Sequence, residues 1–549
     1  MMKMLIFSIM LFMLSLIMLI YSLYFLLFNY EFIMEWNILS INSMKMNMIL
    51  MINYKTLLFM YLVMFISSMI LMYSIKYMNL NNYLLKRFYY LMMLFLFSMI
   101  FLIISPNMLT IILGWDGLGL ISYCLIIYYN KINSFNSGMM TIILNRLGDS
   151  GLLMIISFLT MYGSWNLIIY KMNNLMMFMM LLMIFTKSAQ FPFFIWLPMA
   201  MMAPTPVSSL VHSSTLVTAG IYLMIWYENL FNIKYKNFML LISSMTMLIS
   251  GLMANFEMDF KKIIAFSTLS QLGFMLSILC MELNNLAFLH LFIHALFKSM
   301  MFMCIGSFIH YMNGIQNFRF YKGLYYIYPM KSMIIMFSLM MLCGFPFLVG
   351  FYSKDLMIEF YFMNKLNLFC LIILLFSTIL TISYSIRIMM NLLNNKIMLN
   401  MIYLYEDKLM NYCMMFMMMI MLWLSKIMYN LNFLTHNLNL LKIYKYFILK
   451  MFILSFIMNM MLKKMNNNNI MIFLKNFIYM INMFKLFKNN YNLFLNKYEK
   501  IYEKNFYEIM ISNSMIIFSM FNYKILFNKI SLYMIIILYM YLIMIFMLY

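Results

Sequence analysis

Charged residues are scarce in this chain: Asp, Glu, Lys and Arg make up 9% of it, against about 25% in soluble domains. A surface built from so few charges cannot face water all round. Acids are scarcer still, 15 against 37 basic residues, so each acid inside an apolar run is informative. Cysteine is sparse and scattered. Cys124, Cys280, Cys304, Cys343, Cys370 and Cys413 form no C-x-x-C pair, whereas iron–sulfur and zinc sites usually show clustered thiolates. No G-x-G-x-x-G follows a strand pattern, so no dinucleotide site is visible. These absences predict no cofactor and no metal in this chain, and no redox chemistry of its own. Proline ends at Pro346, which sets the C-terminal third apart.

Apolar residues fill the space that charge leaves, at 66% of the chain. Met4 to Phe28 carries no charge, and at about 1.5 Å per helical residue this run outreaches the ~30 Å hydrocarbon core of a bilayer. It is too long for the core of a signal peptide and reads as a retained span. Comparable runs recur at Leu57–Ile75, Phe88–Ile104, Phe238–Ala254, Ile263–Met281, Leu366–Met390 and Ser531–Tyr549. With shorter runs included, about fifteen transmembrane helices are predicted. A barrel would need short segments alternating apolar and polar residues, and these runs are apolar on every side. The predicted fold is therefore an all-α polytopic membrane protein, its backbone satisfied within helices.

The net charge of +22 does not indicate a nucleic-acid partner, because no soluble module carries a basic face. Many lysines lie in short loops or between Lys442 and Lys529, where they set topology and meet membrane lipids. Methionine numbers 79, and Ile, Phe, Tyr, Asn and Lys are abundant while Ala and Arg are rare. Leu, Ile, Met and Phe are interchangeable against lipid, so this usage points to a strongly AT-biased coding genome and hence to an organelle.

Five regions are predicted. Residues 1–85 hold two spans and a polar, hairpin-like connection around Glu31 to Lys55. Residues 86–390 form the dense bundle and contain all seven prolines. Residues 391–465 add two spans, near Tyr412–Leu424 and Tyr444–Leu462. Residues 466–528 mix Phe, Met and Leu with lysine, as expected of a helix lying along the membrane surface, and residues 529–549 form a final anchoring span.

An ionisable residue inside a span costs about 2.5–3.5 kcal/mol on insertion scales, so such residues mark function or pair with one another. Asp116 interrupts the otherwise uncharged run Leu109–Tyr128; the competing reading is a carboxylate at a helix end. Arg146 and Asp149 lie three apart, close enough to pair on one helix face, as a structural brace or as part of a proton path. Lys187 precedes Gln190, Phe191 and Pro192, and proline interrupts a helix and frees a carbonyl. A lysine at an interrupted helix in a membrane is an ion-pathway arrangement. His290, His294 and Lys298 line one helix face, since a step of four residues turns only about 40°. A lysine beside two histidines opposes metal binding, so a proton relay suits the trio better than a metal site; satisfied core histidines are the alternative. Lys354 and Asp355 follow Gly344, Pro346 and Gly350, a second predicted helix break and a hint of an internal repeat.

The run from Thr186 to Tyr222, with Lys187-Ser-Ala-Gln-Phe-Pro and Pro204-Thr-Pro-Val-Ser-Ser-Leu-Val-His212, resembles the subunit 5 family of NADH dehydrogenase, the distal antiporter-like subunit of mitochondrial respiratory complex I. Gly114-Trp-Asp-Gly, Asn145-Arg-Leu-Gly-Asp149, Asp259-Phe-Lys-Lys and Tyr352-Ser-Lys-Asp355 extend the resemblance over about residues 60–390. It implies a core membrane subunit of proton-pumping NADH:ubiquinone oxidoreductase in the mitochondrial inner membrane. NAD, FMN, iron–sulfur clusters and ubiquinone would then belong to partner subunits, and subunits 4 and 2 would be braced by the lateral helix. Family proton-pathway positions map onto Asp116, Lys187, His212, Lys261, His290, His294, Lys298, Lys354 and Asp355, with Arg146 and Asp149 as a supporting pair. The sequence departs from the family pattern where Asp116 shortens the usual Glu, and where Asn53 and Trp226 replace an acid and a basic residue. Gln316-Asn-Phe-Arg319 is a loose form of the usual motif. A subunit of a multi-subunit monovalent cation/proton antiporter shares the same charged axis and is the alternative.

Overall fold

A computed structural model describes residues 2–41, 44–78, 82–170, 172–346, 348–363, 367–394, 406–433 and 447–464. The predicted surface helix over 466–528 and the anchor over 529–549 lie outside the described residues.

The chain opens with helix α1 (Met2–Phe28), then strands β1 (Phe32–Ile41) and β2 (Met44–Ile52), which pair antiparallel with an irregularity between Asn37 and Leu39. The polar connection of the first region is thus a β-hairpin. Helices α2 (Tyr54–Tyr77), α3 (Asn82–Ile104), α4 (Met108–Ile126) and α5 (Ile132–Thr160) follow. Next come α6 (Asn174–Lys187), the short α7 (Trp196–Ala200) and α8 (Thr205–Val207), and then α9 (Leu216–Tyr227). The bundle continues with α10 (Ile233–Phe256), α11 (Phe260–Leu279), α12 (Asn284–Tyr311), α13 (Leu324–Ile327), α14 (Pro329–Cys343), α15 (Val349–Met363) and α16 (Leu368–Leu393). Helices α17 (Lys408–Phe433) and α18 (Phe447–Lys464) lie in the region where two further spans are expected before residue 465; α17 is long and apolar enough to cross a membrane, and α18 holds only a shorter apolar stretch.

Among the described residues, eleven helical stretches are long and apolar enough to cross a membrane, and three shorter apolar helices cover 174–187, 329–343 and 450–461. The chain is an all-α polytopic membrane protein, and among the described residues the hairpin is the exception. Serines tolerate this environment because their hydroxyls turn back on their own helix: Ser67, Ser68 and Ser74 each donate to a carbonyl three residues earlier. Where a helix starts, Asn107 accepts from the Leu109 N–H at 3.3 Å and closes the first turn of α4.

Burial sorts the helices. The apolar windows of α12 and of Thr205–Leu230 are 100% buried within the protein and those of α2 and α11 94%, whereas that of α1 is 22% buried. A helix shielded by other helices can carry polar groups without exposing them to lipid. The four shielded stretches hold His212, Lys261, His290, His294 and Lys298, all buried.

Both predicted helix breaks are present. Helix α6 stops at Lys187, and regular α-helix resumes at Trp196. Helix α14 stops at Cys343 and α15 starts at Val349. Gly344 between them has φ +78°, a left-handed conformation open to glycine. A further irregularity was not foreseen from sequence: residues Ser208–Thr215 form a π-helical segment joining α8 to α9, and such segments occur often at functional sites.

Candidate proton-conducting site

Lys187 closes α6, so its side chain projects where the helix stops. It is 1% exposed. Its Nζ donates to the Trp115 carbonyl at 3.2 Å and lies 4.7 Å from the centre of the same indole. The Trp115 Nε1 donates in turn to Asp149 Oδ1 at 2.8 Å. Arg146 then bridges two carboxylates, Asp149 at 3.5 Å and Asp116 at 3.7 Å. The pair read from spacing is thus one half of an acid–base–acid group, linked to Lys187 through Trp115. Asp116 lies within α4 and not at its end, and its side chain is 38% exposed. It pairs with Arg146 and forms no direct ion pair with Lys187 within 4 Å. Close helix approach makes this cluster possible: a Cβ at Gly148 would lie 2.1 Å from Thr186 Oγ1, so α5 and α6 meet through a missing side chain.

Within the break, Gln190 is wholly buried and accepts from the Thr246 hydroxyl at 2.7 Å. His212 sits in the π-helical segment, edge-on to Trp196 with ring centres 6.3 Å apart. Neither of its ring nitrogens has a hydrogen-bond partner among the described residues. Lys261, in the first turn of α11, donates to the Ala203 carbonyl at 3.0 Å.

The predicted histidine face is real and fully buried. His290 contacts Ser353 Oγ at 2.9 Å through Nδ1 and Gln271 Oε1 at 3.2 Å through Nε2. The rings of His290 and His294 are 6.4 Å apart, and both nitrogens of His294 lack a partner among the described residues. Lys298 Nζ donates to the Ser267 hydroxyl. Lys354 donates to Thr381 Oγ1 at 3.0 Å and to the Leu342 carbonyl at 3.4 Å. That carbonyl belongs to the last turn of α14, beside the break at Gly344. Asp355 is only half-buried. One residue turns the helix about 100°, and no ion pair joins Asp355 to Lys354.

Four ion pairs within 4 Å occur among the described residues, and none includes Lys187, Lys261, Lys298 or Lys354. Each ammonium rests on neutral oxygens instead. Groups held this way can exchange a proton without breaking a salt bridge, and orphaned histidine nitrogens suit bridging water. No cluster of three or more potential metal ligands occurs among the described residues.

Sequence reasoning overlooked two deeply buried ionisable residues. Lys331, in the first turn of α14, is 0% exposed; it donates to the Tyr311 hydroxyl and lies 3.9 Å from that ring's centre. Glu228, at the end of the α9 span, is 1% exposed. Charges at span ends read as interfacial in a sequence. Only packing shows that these two are covered.

Comparison with known proteins gives a consistent picture. The family described as NADH:quinone oxidoreductase/Mrp antiporter matches residues 105–381, and the N-terminal family of complex I chain 5 matches residues 36–89. An NADH-ubiquinone oxidoreductase chain 5 of Apis mellifera ligustica is 65% identical over 317 residues, 58% of this chain and 57% of the relative. The namesake of Anopheles gambiae is 49% identical over 68% of this chain and 66% of its own length. That of Anopheles arabiensis is 49% identical over 65% of this chain and 94% of its own length. The chain therefore spans about 57–66% of the first two relatives. A chain from the Mrp complex of Dietzia sp. DQ12-45-1b shares the fold with TM-score 0.72 at 20% identity, over 89% of this chain and 57% of that one. A chain of the archaeal membrane-bound sulfane sulfur reductase does so with TM-score 0.65 at 20% identity, over 77% of this chain and 90% of that one.

Proposed function

The chain belongs to the NADH-ubiquinone oxidoreductase chain 5 family, and on that premise we propose that it moves protons across the mitochondrial inner membrane within the assembled oxidoreductase. The single observation behind this reading is that four buried lysines, Lys187, Lys261, Lys298 and Lys354, each rest on neutral oxygens and that none is in an ion pair among the described residues. The relay consists of these lysines with His212, His290 and His294. Asp149, through Trp115, and Arg146 with Asp116 form the charged group at its Lys187 end, and Asp355 flanks its Lys354 end.

A proton arriving near one lysine raises the electrostatic cost of a proton on the next. Because these groups are buried where the local dielectric is low, such a displacement is felt across several residues. The serine and threonine hydroxyls at Ser267, Ser353 and Thr381 accept and donate in turn, so they carry protons between the nitrogens once water fills the gaps. Oxidation of NADH, with FMN and iron–sulfur clusters, and reduction of ubiquinone belong to partner subunits in this reading. The partners in the membrane, in this reading, are subunits 4 and 2, together with the surrounding lipid.

The test is replacement of Lys187 or Lys354 by Met in the assembled complex. Assembly is expected to persist while protons moved per electron fall. A normal ratio in a fully assembled variant would remove the relay assignment.

The fold shared with a chain of the Mrp complex supports a second reading, a subunit of a cation/proton antiporter. Purification under mild detergent separates the two. Flavin and iron–sulfur absorbance co-migrating with this chain favours the oxidoreductase, and its absence favours the antiporter.

A further inference from the structure

Glu228 is 1% exposed, and neither of its carboxylate oxygens has a hydrogen-bond partner among the described residues. It lies at the end of the bundle that carries the β-hairpin, where α2 and α12 begin and α11 ends. Lys236, Glu282 and Lys55 lie within electrostatic reach of it, as does the Cys280 thiol. Lys236 is itself committed, donating to Glu282 Oε1 at 2.6 Å. A carboxylate without donors in a dry site is poorly stabilised as an anion, and its neutral, protonated form removes that penalty.

Outward, Lys55 and Glu282, both within its reach, line a recess of about 360 Å³ together with Asn284 and Asn285. Inward, Cys280 lies within electrostatic reach of Tyr361, whose hydroxyl bonds Ser277 and the Phe274 carbonyl. The Phe274 ring packs on both Tyr361, at 5.7 Å, and His290, at 5.8 Å. The buried row therefore approaches Glu228 at its His290 end.

We propose that Glu228 is the carboxyl group through which the His290 end of the relay exchanges protons with the recess on the hairpin side of the membrane. This rests on the proton-relay reading above and adds a side and a residue to it. A proton passes from the inner hydroxyls, through water, to the carboxylate; the neutral acid then releases it to the recess, where the Lys236–Glu282 pair fixes the rim.

The experiment uses the intact complex. A hydrophobic carbodiimide adds across a protonated carboxyl in an apolar site, and peptide mass spectrometry maps the resulting N-acylurea. The adduct is expected on Glu228, with protons moved per electron falling as it accumulates. Glu228→Gln is expected to lower the same ratio in complexes that assemble. An unmodified Glu228, or a modified one with an unchanged ratio, overturns the proposal. So does Glu228→Gln that reduces the amount of complex while leaving the ratio intact, the behaviour of a merely structural group. Lys354→Met serves as the control for the underlying reading. If it lowers the ratio while Glu228→Gln does not, the relay stands and the role of Glu228 fails; if neither lowers it, both fail.

Discussion

Lys187 and Trp115 are joined twice, by a hydrogen bond from the ammonium to the tryptophan carbonyl at 3.2 Å and by the ammonium lying 4.7 Å from the indole centre. The carbonyl fixes the position of the charge, and the ring face supplies electrostatic attraction worth about 2 kcal/mol when desolvated. Because the same indole donates to Asp149, the lysine senses the acid without touching it. An acid in direct contact would hold the proton on the lysine more firmly.

Trp115→Phe is expected to keep a ring under Lys187 while removing the donor to Asp149. An acceptor that loses its donor in a partly buried place costs about 1–3 kcal/mol. The complex should assemble, with its thermal transition lowered slightly. Protons moved per electron, measured with a pH-sensitive dye in sealed vesicles, should fall.

Asp149→Asn and Asp116→Asn are expected to differ. Asp149 accepts from Trp115 and pairs with Arg146, whereas Asp116 pairs, among the described residues, with Arg146 alone and its side chain is 38% exposed. The Asp149 change should therefore depress proton movement more than the Asp116 change. Equal effects would remove the link through Trp115.

Gly148→Ala is expected to disturb the Lys187 end through packing. The added Cβ would sit 2.1 Å from Thr186 Oγ1, and overpacking of this kind costs about 1–3 kcal/mol. The yield of assembled complex should drop. Thr186→Ala in the same chain removes the clashing hydroxyl and should restore much of the yield. A double-mutant cycle on the yield measures that coupling.

Thr381→Val removes the hydroxyl on which Lys354 rests at 3.0 Å. The Leu342 carbonyl remains, at 3.4 Å, so the ammonium keeps one acceptor. The expected loss is about 1 kcal/mol of local stability, with slower proton movement at saturating substrate and unchanged assembly. Native gels and vesicle pumping read the two effects separately.

Membrane residence, helical class and the breaks after Lys187 and near Gly344 were legible in the sequence, because uninterrupted apolar runs and proline act locally. The helix face of His290, His294 and Lys298 was equally legible, since periodicity places them together before any packing occurs. The π-helical segment around His212 was not, because Pro204-Thr-Pro-Val-Ser-Ser-Leu-Val-His212 carries no local signal that distinguishes a wider turn from a regular one. Lys331 and Glu228 were passed over for a related reason. A charge near the end of an apolar run has the same sequence pattern whether headgroups or neighbouring helices cover it.

By itself, the sequence determined which residues must be hidden from lipid, since every ionisable group in an apolar run carries its desolvation cost wherever the helix docks. Apart from the Arg146–Asp149 pair, which spacing alone indicates, it determined neither their partners nor their order. The tertiary structure made Asp149, reached through Trp115, the acid linked to Lys187, left Asp116 to Arg146, and set Lys298 and Lys354 on hydroxyls from other helices. Those choices depend on which helices approach closely, as α5 and α6 do at Gly148, and close approach is a property of packed surfaces that no single helix contains.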